Sequence, residues 1–148
     1  MANSVTALLD QAYQQLAAVS DSALLDTEVL LCHCLHKNRS FIRAWPEHPL
    51  TDQQASEFLA LISQRQQGVP VAYLTGEREF WSRSFKVNPD VLIPRPDSEL
   101  LIELSLDLLP ANQANKIIDL GTGSGILAIT LAAERRSEEH TSELQSQR

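Results

Sequence analysis

The sequence predicts an α/β chain laid out in order: a small all-α N-terminal bundle, a β-hairpin linker, and then the opening strand, turn and helix of an α/β domain. Three observations predict it. Over roughly the first 70 residues apolar side chains recur at three- and four-residue steps, the period of amphipathic helices. Around Glu79 to Val87 the pattern shortens to two apolar runs, the mark of a hairpin. From Lys116 to Ala128, KIIDLGTGSGILA, a β-branched run meets three glycines at alternate positions and then an apolar helix-forming stretch.

In the bundle, Ser4 can cap a first helix whose stripe is Val5, Leu8, Leu9, Ala12 and Leu16. A second helix is expected from about Ser22 to Lys37-Asn38, with Leu24, Leu25, Val29, Leu30 and Leu31 apolar. Phe41, Ile42 and Trp45 form a short apolar patch stopped by Pro46 and Pro49. Thr51 and Gln54 make a capping box that opens a third long helix, carrying Phe58, Leu59 and Ile62 inward and ending at Gly68. Pro70 to Gly76 reads as a connector. Glu79-Phe80-Trp81 and Phe85-Lys86-Val87, separated by Ser82-Arg83-Ser84, read as paired strands. Pro89, Pro94 and Pro96 then forbid a regular ladder and fix a stiff extended crossing. Asp97 or Ser98 can start the next helix, with Leu100, Leu101, Leu104 and Leu108 facing one way until Pro110.

Composition bounds the function. At 148 residues the chain can hold one domain with a core or two small ones. A net charge of −7 without a basic stripe argues against a partner held by its phosphate backbone, so no direct nucleic-acid binding is expected. No apolar run approaches the roughly 18 residues of a membrane span, and the N-terminus lacks a signal pattern, which predicts a cytoplasmic location and no membrane partner. Cys32 and Cys34 are too close on a helix for a structural disulfide, in keeping with a reducing compartment. Cys32-His33-Cys34-Leu35-His36 offers metal-ligating types, but Cys32 and His36 share a helical face that Cys34 does not, and no second cluster completes a tetrahedron. No metal site is expected.

The glycine stretch carries the chemistry. Glycine at alternate positions lets the backbone take positive φ and a ligand approach without a Cβ in the way. The free N–H groups of the next helix then favour a polar or anionic group. The dinucleotide fingerprint is G-x-G-x-x-G, whereas here the glycines run G-x-G-x-G and the sixth position is Ile126. Asp119-Leu120-Gly121-Thr122-Gly123-Ser124-Gly125 instead resembles the first motif of S-adenosylmethionine-dependent methyltransferases. A glycine turn without a ligand is the plainer alternative.

Arg78-Glu79-Phe80-Trp81, then Leu92-Ile93-Pro94-Arg95-Pro96-Asp97-Ser98-Glu99, then the loop from Ile117 to Gly125 occur in this order. Together they resemble the PrmC/HemK family, protein-(glutamine-N5) methyltransferases of class 1 peptide chain release factors. The resemblance runs from near the N-terminus to about Arg135. It implies a helical substrate-recognition domain at 1–73, a hairpin and proline-rich linker at 74–96, and at 97–135 the truncated start of a Rossmann-like class I methyltransferase domain. It implies S-adenosyl-L-methionine as cofactor, held by Gly121, Thr122, Gly123, Ser124 and Gly125. Asp119, at a strand's carboxyl end, is a polar partner for the methionine end, or else an aspartate bonded to its own loop. Phe80, Arg95 and Pro96 are implied to form the pocket, with a surface ion pair to Asp97 or Glu99 as the alternative for Arg95.

The chain departs from the family in two places. The family's Asn-Pro-Pro-Tyr motif, which grips the amide nitrogen, is absent, and Asn88-Pro89 reads as a turn. No catalytic residue is therefore assigned. Glu138 and Glu139 lie about 20 residues on from Asp119, where a ribose-binding acid is expected, but no apolar strand precedes them. Residues 136–148 are polar, cannot supply the second strand of a buried parallel sheet, and resemble the translation of a sequencing adapter. The expectation is an inactive N-terminal piece of a release-factor methyltransferase. Two alternatives are a non-catalytic helical protein-binding module and a fragment of a nucleic-acid amino-methyltransferase, the latter opposed by the acidic balance.

Overall fold

The computed structural model describes residues 3–110 and 115–145, with side chains described as far as Arg135. The chain divides into two compact units, Met1–Gly76 and Glu77–Arg148.

The first unit is helical. Helix α1 (Val5–Leu16) is capped by Ser4, whose hydroxyl accepts from the Ala7 N–H, and it buries Val5, Leu8, Ala12 and Leu16. Its first backbone donors find carbonyls of the Pro46–Leu50 loop, Val5 N to His48 O at 3.1 Å and Thr6 N to Pro46 O at 3.0 Å. Helix α2 (Ala23–Leu35) closes on His36, a left-handed cap at φ 50°. The short α3 (Arg39–Ala44) is capped by the Asn38 carboxamide, and α4 (Asp52–Gln66) by the expected Thr51–Gln54 box, with both reciprocal bonds present. Helix α5 (Val71–Thr75) occupies the stretch expected as a plain connector. Val5, Leu8, Leu16, Leu30, Leu31, Phe58 and Ile62 are almost wholly buried and form one core.

The buried face of α2 takes in Leu30 and Leu31 of the expected apolar set but not Leu24 or Leu25. Leu24 and Leu25 are 61% and 46% exposed, while Asp26, Thr27 and Glu28 are buried. The face set by Ala23, Thr27, Leu30 and Cys34 leaves Leu25 on the far side, whereas Leu24, in line with the buried Leu31, is exposed in the helix's first turn. The two acids on the buried side are each paired. Asp26 accepts from Arg65 Nε of α4 at 2.7 Å and from the Ser20 and Ser22 hydroxyls at 2.8 and 2.9 Å. Glu28 is bound by Arg39 and Arg43 of α3.

In the second unit, β1 (Glu77–Phe80) pairs antiparallel with β2 (Arg83–Lys86), Phe80 facing Arg83. The connection is Trp81-Ser82 and not the expected Ser82-Arg83-Ser84. Both turn residues take positive φ, 52° and 56°, the geometry that a two-residue turn needs to match strand twist. The segment from Asn88 turns back on itself, its side chain accepting from the Asp90 N–H at 3.1 Å. Helix α6 (Ser98–Leu108) follows, and α7 is Ile126–Gln145.

One expectation fails here. The strand predicted at Ile117 to Leu120 is irregular backbone, with Ile118 83% and Leu120 89% exposed. A strand exists through its ladder, and among the described residues no neighbour offers one. The polar run after Arg135 forms no strand as far as Gln145 and continues α7 as helix, since it contains neither glycine nor proline. Glu138 and Glu139 lie on this helix, outside the residues whose side chains are described.

Candidate functional site

The loop from Asp119 to Gly125 joins irregular backbone to the start of α7. Gly121, Gly123 and Gly125 all take positive φ, at 76°, 53° and 75°. Each is a conformation that a Cβ would strain. Space is a second constraint only at Gly125, where a Cβ would sit 3.3 Å from Ile129 Cδ1. The loop is tied to itself and to the helix: Gly125 N donates to Thr122 O at 2.8 Å, and Ile129 N to Gly125 O at 2.9 Å.

Asp119 is engaged with the loop, its Oδ2 accepting from the Thr122 hydroxyl at 3.0 Å. It also lines a cleft of about 200 Å³ with Leu101, Ile102, Ile117, Leu127 and Leu131. Thr122 is exposed and Ser124 half-buried. The arrangement is a bare backbone turn with a carboxylate on one side and a helix start on the other. Chemically it can accept from an ammonium through Asp119 and donate to a carboxylate through backbone N–H groups.

The residues implied as pocket-forming are dispersed. Phe80 is 2% exposed and lies in the buried cluster with Phe85, Ile102, Ile126 and Leu131, so it backs the first residue of α7 and does not face solvent. Arg95 and Pro96 are exposed in the turn before α6, with Ser98 N and Glu99 N donating to their carbonyls. Among the described residues no ion pair joins Arg95 to Asp97 or Glu99. Glu99 accepts from the Trp81 N–H at 3.3 Å. Sequence reasoning missed this bond because its partners are 18 residues apart.

The larger cleft, about 700 Å³, is elsewhere, lined by Glu79, Phe80, Trp81, Ser82, Arg83, Glu99 and Glu134. Volume alone does not outweigh the glycine loop, whose backbone is shaped for close approach. Cys32 and Cys34 are free thiols. Burial pushes the Cys34 thiol up to about 11, with Glu57 adding to the rise, so it is inert at neutral pH. Burial raises Cys32 as well. Among the described residues no group of three or more His, Cys, Asp or Glu could hold a metal ion, and no helix is long and apolar enough to cross a membrane.

A helical domain, a hairpin, and an alternate-glycine turn feeding a helix define the class: a helical module followed by a glycine-loop element. The comparisons make it particular. Residues 7–76 match the family model described as PrmC N-terminal domain. A release factor glutamine methyltransferase of Shewanella oneidensis is 54% identical over 127 residues, which are 86% of this chain and 44% of that protein. Enzymes of the same name from Aliivibrio fischeri and Escherichia coli K12 are 48% and 49% identical, over 90% and 86% of this chain and 47% and 45% of theirs. Over residues 7–76 the chain belongs to the PrmC N-terminal domain family. It spans less than half the length of the curated relatives it matches.

Proposed function

We propose that this chain is the N-terminal part of an enzyme that moves a methyl group from S-adenosyl-L-methionine to the side-chain amide nitrogen of a glutamine in class 1 peptide chain release factors, in the cytoplasm. Residues 1–73 act as the substrate-recognition domain, 74–96 as linker and 97–135 as the opening of a Rossmann-like class I methyltransferase domain, with 136–148 outside the family pattern. The observation that carries the reading is 54% identity, over most of this chain, to a protein named release factor glutamine methyltransferase.

Gly121, Thr122, Gly123, Ser124 and Gly125 would hold the cofactor, and Asp119 its amino group. The loop fits such a group, for its glycine φ values leave the backbone open to a ligand's polar end. When bound, the cofactor supplies an electrophilic sulfonium methyl. An amide nitrogen is a poor nucleophile because its lone pair is delocalised, so the enzyme must hold it in line and accept its N–H bonds as charge moves. The chain carries no Asn-Pro-Pro-Tyr to do this, and alone it is inactive.

The bare segment at Ile117 to Leu120 has a consequence for binding. A loop entered from irregular, exposed backbone is fixed on its helix side alone, and an ordering cost falls on the ligand. Titration calorimetry of S-adenosylmethionine into this chain is expected to give no saturable heat; micromolar binding would count against this account of the loop.

A further inference from the structure

The hairpin register places Arg78 opposite Phe85 and Phe80 opposite Arg83, so all four share the face that carries the two buried phenylalanines. The two arginines on that face fare differently. Arg83 reaches Glu134 of α7 at 2.9 Å. Arg78 has a half-buried side chain whose Nε is sealed from solvent and has no hydrogen-bond partner among the described residues. A guanidinium keeps its charge at any ordinary pH and can only donate, so a sealed donor is destabilising until an oxygen acceptor reaches it.

We propose that Arg78 is a docking contact for a carboxylate or main-chain carbonyl carried by the polypeptide that follows this region in the longer relatives. The inference rests on the reading of the chain as their N-terminal part. Arg83 is the internal control, because its acid is already present on α7.

The test compares Arg78→Met with Arg83→Met in a Trp45→Phe background, where Trp81 fluorescence reports thermal unfolding of the second unit. In this chain Arg78→Met is expected to raise the midpoint, by on the order of 4 °C, while Arg83→Met lowers it. In a chimera continued beyond Arg135 with the remaining sequence of the Shewanella relative, Arg78→Met is expected to lower the midpoint. Arg78→Lys, which removes Nε but keeps the charge, should follow the same signs and serves if the Met variant does not fold. An unchanged or lowered midpoint in this chain overturns the proposal. So does a raised midpoint in the chimera. Neither readout involves methyl transfer, so failure here is separable from failure of the proposed activity.

Discussion

At the scale of single residues, opposite charges settle the helical unit and backbone strain settles the glycine loop. Asp26 is buried on α2, and burial alone would raise its carboxyl pKa; hydrogen bonds from Arg65, Ser20 and Ser22 and the Arg65 charge outweigh that and hold it below 3.8. A depressed folded-state pKa gives stability that is present above the unfolded value and is lost as pH falls through the folded one. The helical unit should therefore lose stability below about pH 4, and Asp26→Asn should flatten that acid limb in denaturant titrations at stepped pH. At neutral pH Asp26→Asn should cost roughly 3 kcal/mol, because it leaves Arg65 without its charge partner. In the loop, Gly123→Ala should destabilise the second unit by about 1 kcal/mol through its positive φ, read as a lower urea midpoint with unchanged slope.

At the scale of elements, α6 is the telling case. Its Leu101, Leu104 and Leu108 are 54%, 51% and 83% exposed, and among its residues only Ile102 is buried. Such an exposed stripe promotes association in water. Analytical ultracentrifugation should find self-association that grows with concentration, and Leu101→Glu with Leu104→Glu should shift the chain toward monomer. Elements fixed by local chemistry were legible in the residues: the Ser4 cap, the α1 stripe, and the Thr51–Gln54 box that opens α4. The hairpin's turn was not, because neither Trp81 nor Ser82 carries the Asn-Gly signature of a turn with two positive φ values. Ser82→Gly should accordingly raise the hairpin's stability by up to about 1 kcal/mol. The strand at Ile117 was overread, since apolar β-branched pattern reports propensity whereas a ladder needs a neighbour.

At the scale of the molecule, two units of different completeness sit on one chain. The helical unit has a continuous core and paired buried acids. The second has a small core under the hairpin, an apolar face on α6 and an unpaired segment leading into the glycine loop. The motif order Arg78 to Trp81, Leu92 to Glu99, Ile117 to Gly125 was enough to identify the family. The site's surroundings were not legible, because they depend on contacts between residues far apart in sequence. Under the proposed function the loop becomes a cofactor cradle only when the remaining half of the domain pairs with its strand. The most direct test is methyl transfer from S-adenosylmethionine to a class 1 release factor, followed by mass spectrometry of the glutamine-bearing peptide, using the Shewanella chimera beside this chain. The account predicts one added methyl group on the glutamine with the chimera and none with this chain; an unmodified glutamine with a folded chimera would contradict it.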